Sequence, residues 1–282
     1  MRVRDFFSHS IKQLTERCVL DPSIEAEVII RNVLGLSRVE LIVTSDEFLS
    51  SGNKEQLFTF LDRRLKGEPL AYIFNQREFY GLDFVVTPEV LIPRQESELL
   101  VDKVLEHADR VKNKHLRIVD VGTGSGVLAI TIARYLPDAI IYATDLSRKA
   151  LFVADTNRRK HRVSNRVYLC QTDLLQAING PIDIIVSNPP YLNSEEMLFL
   201  EPELKHEPIC ALDGGTDGLC LTRRLFQQAS VCLDSSGYLV VEISTERLHQ
   251  TMQIAEAIDK DTTVLVDNDL AGLPRVMTVK FS

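Results

Sequence analysis

The run Ile118-Val119 leads into Asp120-Val-Gly122-Thr-Gly124-Ser-Gly126, and an apolar helical pattern starts directly afterwards, at Val127. Turning a buried strand into a helix over so few residues calls for glycine, which adopts positive φ without a steric cost. The turn also faces the first N–H groups of the helix, which have no intrahelical partners. A strand that feeds straight into a helix is half of a crossover unit, so the next strand is expected to lie parallel to it. The chain that follows keeps this alternation. Strands are expected at 118–120, 140–144, 167–169, 182–187 and 238–243, with two more near Val264 and Val276. Helices are expected at 127–135, from a cap at Ser147 through Leu151, Val153 and Ala154, at 221–231, and at 245–258. The fold class is therefore α/β, a seven-stranded and mostly parallel sheet with helices on both faces.

Residues 1–73 read differently, as a small all-α domain. Val3, Phe6, Phe7, Ile11 and Leu14 keep helical spacing. Asp21-Pro22 opens a second helix that Gly35 closes, Ser37 to Glu40 has the capping-box pattern, and Asn53 is the expected cap of a helix through Leu65. Between this domain and the α/β domain (95–282) lies a linker, 74–94, whose Phe79-Tyr80-Gly81-Leu82 pattern predicts a β-hairpin. No catalytic cluster falls in 1–73, so a docking or positioning module is expected there. Residues 192–220 form a long connection whose Asp213-Gly-Gly-Thr-Asp-Gly218 predicts a shaped loop.

Acidic residues recur where the strands end, the side on which sheets of this kind bind ligands. The glycines are spaced G-x-G-x-G, not G-x-G-x-x-G, and Asp120 would repel a pyrophosphate but suit an ammonium group. Asp145, after the second strand, is placed to accept ribose hydroxyls. Asp173 and Leu174, after the third, offer a carboxylate for an adenine amine and an apolar face for its ring. These features favour S-adenosylmethionine over a dinucleotide, with Gly122, Thr123, Gly124, Ser125, Gly126, Asp145, Asp173, Leu174 and Asn188 as candidate cofactor residues. The fourth strand runs into Asn188-Pro189-Pro190-Tyr191. A residue before proline is pushed into extended backbone, and proline has no N–H, so this loop is stiff and rich in acceptors. The Asn188 side-chain oxygen and the Pro189 carbonyl can converge on a planar NH2 group, with the Tyr191 ring against it. Asn188, Pro189 and Tyr191 are the candidate catalytic residues, and the four residues 188–191 the candidate substrate contacts.

Taken together, the glycine loop, the acidic strand ends and Asn188–Tyr191 resemble the class I S-adenosylmethionine-dependent methyltransferases, a Rossmann-like fold. Nearly the whole chain is similar to the protein-(glutamine-N5) methyltransferases that act on peptide-chain release factors. The likeness is carried by Glu78-Phe-Tyr-Gly81, Val90-Leu-Ile-Pro-Arg94, Glu207-Pro, Gly214-Gly-Thr-Asp-Gly-Leu219 and Gly272-Leu-Pro-Arg275. It implies methyl transfer to the amide of the glutamine in a Gly-Gly-Gln motif, and hence a part in translation termination. The chain departs from the family with Ser97 in place of Thr, Ser244 in place of Gly after Glu242-Ile, and Leu174 where some members have an aromatic residue. The pattern does not define roles for Arg94 and Glu98.

Two rival functions fit parts of the pattern. One is an adenine-N6 methyltransferase on nucleic acid; the other is a catalytically silent cofactor-binding scaffold. A net charge of −8 and the lack of a basic recognition region argue against the first. The intact glycine loop and Asn188–Tyr191 argue against the second. Five cysteines without a C-x-x-C pair suggest free thiols and no metal site, and the six histidines read as surface or loop residues. With no visible signal peptide or membrane-length apolar run, a cytoplasmic, monomeric enzyme that binds neither membrane nor nucleic acid is expected.

Overall fold

The computed structural model describes residues 1–111, 115–259 and 261–281. The chain divides into two compact units, one of residues 1–75 with 201–206, the other of 76–200 with 207–282. The hairpin segment from Gln76 onward thus clusters with the larger unit.

The smaller unit holds α1 (Val3–Glu16), α2 (Pro22–Leu34), α3 (Arg38–Val43), α4 (Ser51–Leu65) and α5 (Leu70–Ile73). Gly35 ends α2 in the left-handed conformation, and the Ser37/Glu40 capping box opens α3. The cap of α4 is Ser50, not Asn53: the Ser50 hydroxyl accepts the Asn53 N–H, so the helix begins earlier than the apolar spacing indicated. Phe6, Leu14, Ile29, Ile30, Leu57 and Leu61 form the core. Arg64 is buried among them, and its charge is balanced by Glu25 and by Glu203 from the separate 201–206 segment.

The larger unit begins with an antiparallel hairpin, β1 (Gln76–Phe79) and β2 (Leu82–Val85), turned by Tyr80 and Gly81, both at positive φ. Then follow α6 (Glu98–Ala108), β3 (Arg117–Val121), α7 (Val127–Tyr135), β4 (Ile140–Asp145), α8 (Arg148–Lys160), β5 (Val167–Gln171) and β6 (Ile182–Ser187). After the long connection come α9 (Cys220–Cys232), β7 (Leu233–Glu242), α10 (Leu248–Ile258), β8 (Thr263–Asn268) and β9 (Pro274–Lys280). The sheet has seven strands in the order β5-β4-β3-β6-β7-β9-β8, with β9 antiparallel to both its neighbours and the remaining pairs parallel.

Alternate strand residues serve opposite faces. Ile118, Ile184 and Val240 pack with Leu100 and Val104 of α6 and Leu128 and Ile132 of α7. Val119, Ile185 and Leu239 pack with Leu225 and Phe226 of α9 and Ala255 of α10. Strand β7 starts at Leu233, five residues before the apolar run at Tyr238, because pairing at Ile182↔Leu233 extends it beyond a register shift. Not every histidine lies at the surface. His107 on α6 is buried, stacked on Tyr238 with its Nε2 3.3 Å from the Thr278 hydroxyl, and burial pushes its pKa down.

Candidate active site

The C-terminal ends of β3, β4, β5 and β6 open onto one cavity of about 350 Å3 within the larger unit. At the end of β3 the backbone folds back so that the Gly122 and Thr123 N–H groups both donate to the Thr144 carbonyl, at 2.9 Å each. Gly122, Thr123, Gly124 and Ser125 line the cavity. Gly126 does not. At φ +84°, a Cβ there would meet Ile130 Cδ1 at 2.9 Å and Ala154 Cβ at 3.3 Å, so glycine is needed where α7 passes α8.

Asp120 also stands outside the lining, contrary to its expected place opposite an ammonium group. Its carboxylate turns into the protein and accepts from the Thr123 hydroxyl at 2.6 Å and from the Ala129 N–H at 3.1 Å. It thereby ties β3 to the first turn of α7, where an acceptor suits the free N–H groups. Complete burial raises its pKa to about 7, against the pull of both hydrogen bonds.

At the end of β4, Asp145 lines the cavity. Its Oδ2 accepts the Gly124 N–H at 2.9 Å and its Oδ1 the Ser147 N–H at 2.8 Å. Two backbone donors fix the carboxylate and leave each oxygen a further lone pair. Burial pushes its pKa up, opposed by these same bonds. Beyond β5, Thr172, Asp173 and Leu174 line the cavity, Leu174 at φ +51°. The Asp173 Oδ2 is paired with Arg224 of α9.

Beyond β6, Asn188, Pro189 and Pro190 line the cavity, next to Ser187, whose hydroxyl donates to the Val121 carbonyl at 2.8 Å. Tyr191 is half-buried outside the lining, and burial raises its pKa. The loop at 213–218 holds this backbone in place. The Leu192 N–H donates to the Leu212 carbonyl at 3.0 Å, and the Gly214 N–H to the Leu192 carbonyl at 2.8 Å. A Cβ on Gly218, at φ +76°, would lie 2.3 Å from the Tyr191 carbonyl, so only glycine permits the loop to lie this close.

One connection was not apparent from sequence. The Asn188 Nδ2 donates to the Ser97 hydroxyl at 3.1 Å, and that hydroxyl donates to Glu242 Oε2 at 2.6 Å. Ser97 and Glu242 are both buried. The available signal was Glu242 itself, a carboxylate closing β7 as Asp145 closes β4. Arg94, whose role the sequence left open, pairs with the buried Glu207, and Glu207 also accepts the Ile92 N–H at 3.1 Å. Glu98 accepts the Tyr80 N–H at 2.8 Å and so ties the hairpin turn to α6.

The donor set fits S-adenosylmethionine. It combines a strand-to-helix turn of positive-φ glycines, a carboxylate fixed at the neighbouring strand end, and apolar Leu146 and Leu174 in the same lining. Among the described residues no His, Cys, Asp and Glu group could hold a metal ion, and no helix is long and apolar enough to cross a membrane.

Known proteins resemble the chain in sequence and in fold. Residues 95–202 match the "Methyltransferase small domain" family and residues 5–74 the "PrmC N-terminal domain". The chain is 38% identical to the release factor glutamine methyltransferase of Moorella thermoacetica, over 98% of this chain and 97% of that protein. It is 37% identical to that of Coxiella burnetii, over 92% of each. The fold is shared with the T. thermophilus 16S rRNA N2 G1207 methyltransferase solved with AdoMet and guanosine, at 15% identity and a TM-score of 0.54, covering 73% of this chain and 50% of that one. It is also shared with the ribosomal protein L11 methylase of Lactobacillus delbrueckii, at 21% identity and a TM-score of 0.50, covering 70% and 84%.

Proposed function

The chain belongs to the release factor glutamine methyltransferases, and from that membership we propose that it methylates the side-chain amide nitrogen of the glutamine in a release factor's Gly-Gly-Gln motif. The observation that carries this reading is the meeting of Asn188-Pro189 with the glycine turn and Asp145 in one cavity. S-adenosylmethionine bound there would supply an electrophilic sulfonium methyl group. Gly122–Ser125 would hold it through the turn, Asp145 through the ribose hydroxyls, and Asp173, with its Oδ1, and Leu174 at the adenine. Gly126 and Asp120 support that turn from behind.

An amide nitrogen is a weak nucleophile because its lone pair is shared with the carbonyl, so orientation and charge stabilisation must do most of the catalysis. The Asn188 Oδ1 and the Pro189 carbonyl would accept the two amide hydrogens. That fixes the nitrogen's approach and stabilises the positive charge that grows on it during transfer. Tyr191 is assigned to the amide plane of the substrate. No base is needed before transfer: the proton is lost only once the methyl group has moved, when the cationic amide is strongly acidic and can release it to water. Glu242, the carboxylate beside the loop, is engaged by Ser97. The helical unit is the assigned docking module for the folded release factor, which gives the acidic enzyme a protein partner and not a nucleic acid.

The test is mass spectrometry of a release factor after incubation with this protein and S-adenosylmethionine. A single methyl group on the Gly-Gly-Gln glutamine is expected. An unmodified release factor together with methylated adenine in added DNA or RNA would overturn the assignment.

A further inference from the structure

We propose that Ser97 and Glu242 are positioning residues that set which way round the Asn188 amide stands, so that its oxygen and not its nitrogen faces the substrate. The inference rests on the amide-methylating reading and adds to it the part of the fold that makes Asn188 an acceptor.

An asparagine amide has an oxygen and a nitrogen of nearly the same shape, and only its hydrogen-bond partners decide which lies where. The two-acceptor arrangement works with one orientation alone. Reversed, the Asn188 NH2 would oppose the substrate NH2, donor against donor. Pairing of Ser187 with Val241 in the parallel β6–β7 ladder sets Asn188, the first residue after β6, beside Glu242, the last of β7. Ser97 sits between them, from the turn before α6. Its hydroxyl has a single proton. With Glu242 ionised, that proton goes to Oε2 at 2.6 Å, and the hydroxyl oxygen can only accept from Asn188 Nδ2 at 3.1 Å. The carboxylate thus imposes one polarity along the whole chain, and the Asn188 Oδ1 is left for the cavity. All three side chains are partly or fully buried, so competition from water is weak.

Protonation undoes this. A neutral Glu242 can donate to Ser97, whose own proton then turns to Asn188 Oδ1, and the amide rotates by half a turn with no change in shape. Burial raises the Glu242 pKa to about 7, opposed by the Ser97 bond and by Arg275 and Arg94, while Glu96 adds to it; Tyr191 is a further titratable group near it. Arg275 of β9 is itself paired with Asp269, and Arg94 with Glu207. The active form is the ionised one, so turnover should rise with pH through about 7.

The experiment uses the full-length protein, Glu242→Gln, Ser97→Ala and Ser97→Thr, with a folded release factor as substrate. A glutamine amide can either accept from Ser97 or donate to it, and alanine does neither. In Glu242→Gln and Ser97→Ala the Asn188 amide is therefore free to stand either way round, and kcat should fall severalfold. KM for the release factor and cofactor affinity should change by less than about twofold, because the amide's shape is kept. Ser97→Thr restores the hydroxyl and should recover most of the turnover lost in Ser97→Ala. The acid limb of the kcat profile should disappear in Glu242→Gln. A second measurement needs neither substrate nor cofactor. The Asn188 side-chain amide resonances should titrate near pH 7 in the wild type and stay flat in Glu242→Gln. Titrating resonances in an enzyme that fails on the release factor would uphold the orienting device and sink the assigned substrate. Wild-type kcat and an unaltered acid limb in Glu242→Gln would refute the proposal, as would Asn188 resonances indifferent to pH in both proteins.

Discussion

Asn157 on α8 offers a sharp test of how the glycine turn is held. Its side chain is fully buried, and each of its hydrogen-bonding groups is used. Oδ1 accepts the Val85 N–H at 2.8 Å, and Nδ2 donates to the Val85 carbonyl and the Ser125 carbonyl, both at 2.8 Å. One amide therefore fastens the hairpin edge and the glycine turn to a helix. Asn157→Ala strands one backbone donor and two acceptors. A buried polar group left unpaired costs roughly 1–3 kcal/mol, and water entering the small space offsets part of the sum, so a loss of about 3 kcal/mol is expected. In a unit of this size that is a fall of roughly 6–12 °C in the melting temperature of its transition. Asn157→Asp keeps the acceptor for Val85 but sets a carboxylate against two carbonyl oxygens. It should lose as much as the alanine variant at neutral pH and regain stability on acidification, when the protonated acid can donate again. Circular dichroism melts at two pH values measure both effects. A drop of less than about 2 °C in Asn157→Ala would show that the amide fastens nothing.

Asp145→Ala should weaken S-adenosylmethionine binding severalfold or more by leaving ribose hydroxyls unpaired, with NAD failing to compete; calorimetry decides both. Asn188→Ala should leave the melting temperature nearly unchanged while lowering turnover by roughly a hundredfold, and a near-normal rate would end the two-acceptor mechanism. Asn188→Asp should bind cofactor yet transfer methyl slowly, since its charge favours the ground-state sulfonium over the transition state, where that charge disperses. The folded pKa of Asp120 lies above its ordinary value, so its contribution to stability is greatest below the usual carboxylate range and declines as pH rises toward about 7. Melting curves across that window should show the slope, and Asp120→Asn should flatten it.

Much of the fold was legible because its signals are local. Helix α7 has the bounds its apolar run predicts, flanked by glycine before and proline after. Capping chemistry located α2 and α3. Where apolar spacing is the guide to a cap, the reading slips: it points to Asn53 for α4, but the Ser50 hydroxyl accepts the Asn53 N–H and the helix starts at Ser51. The candidate cofactor residues were visible as strand-end carboxylates, but strand-end position does not show which way a side chain turns. Asp120 and Asp145 are equivalent by sequence, yet one is drawn inward by Thr123 and Ala129 and the other lines the cavity. The Ser97–Glu242 connection spans 145 positions and depends on sheet register, which no local pattern encodes. His107 escaped notice for a similar reason, since its partners Tyr238 and Thr278 lie on strands far along the chain.

The smaller unit is not one continuous stretch of chain. It recruits 201–206 from the middle of the long connection, and Glu203 there helps neutralise the buried Arg64. A cut in the gene near residue 75 is therefore not a cut in the fold. A fragment ending there would keep Arg64 and Glu25 but lose the second carboxylate, while the complementary fragment would carry six residues whose partners had been removed. Any experiment that assigns release-factor docking to the helices by truncation would change both halves at once. Point substitutions on the helical surface, made in the intact chain, are the cleaner instrument.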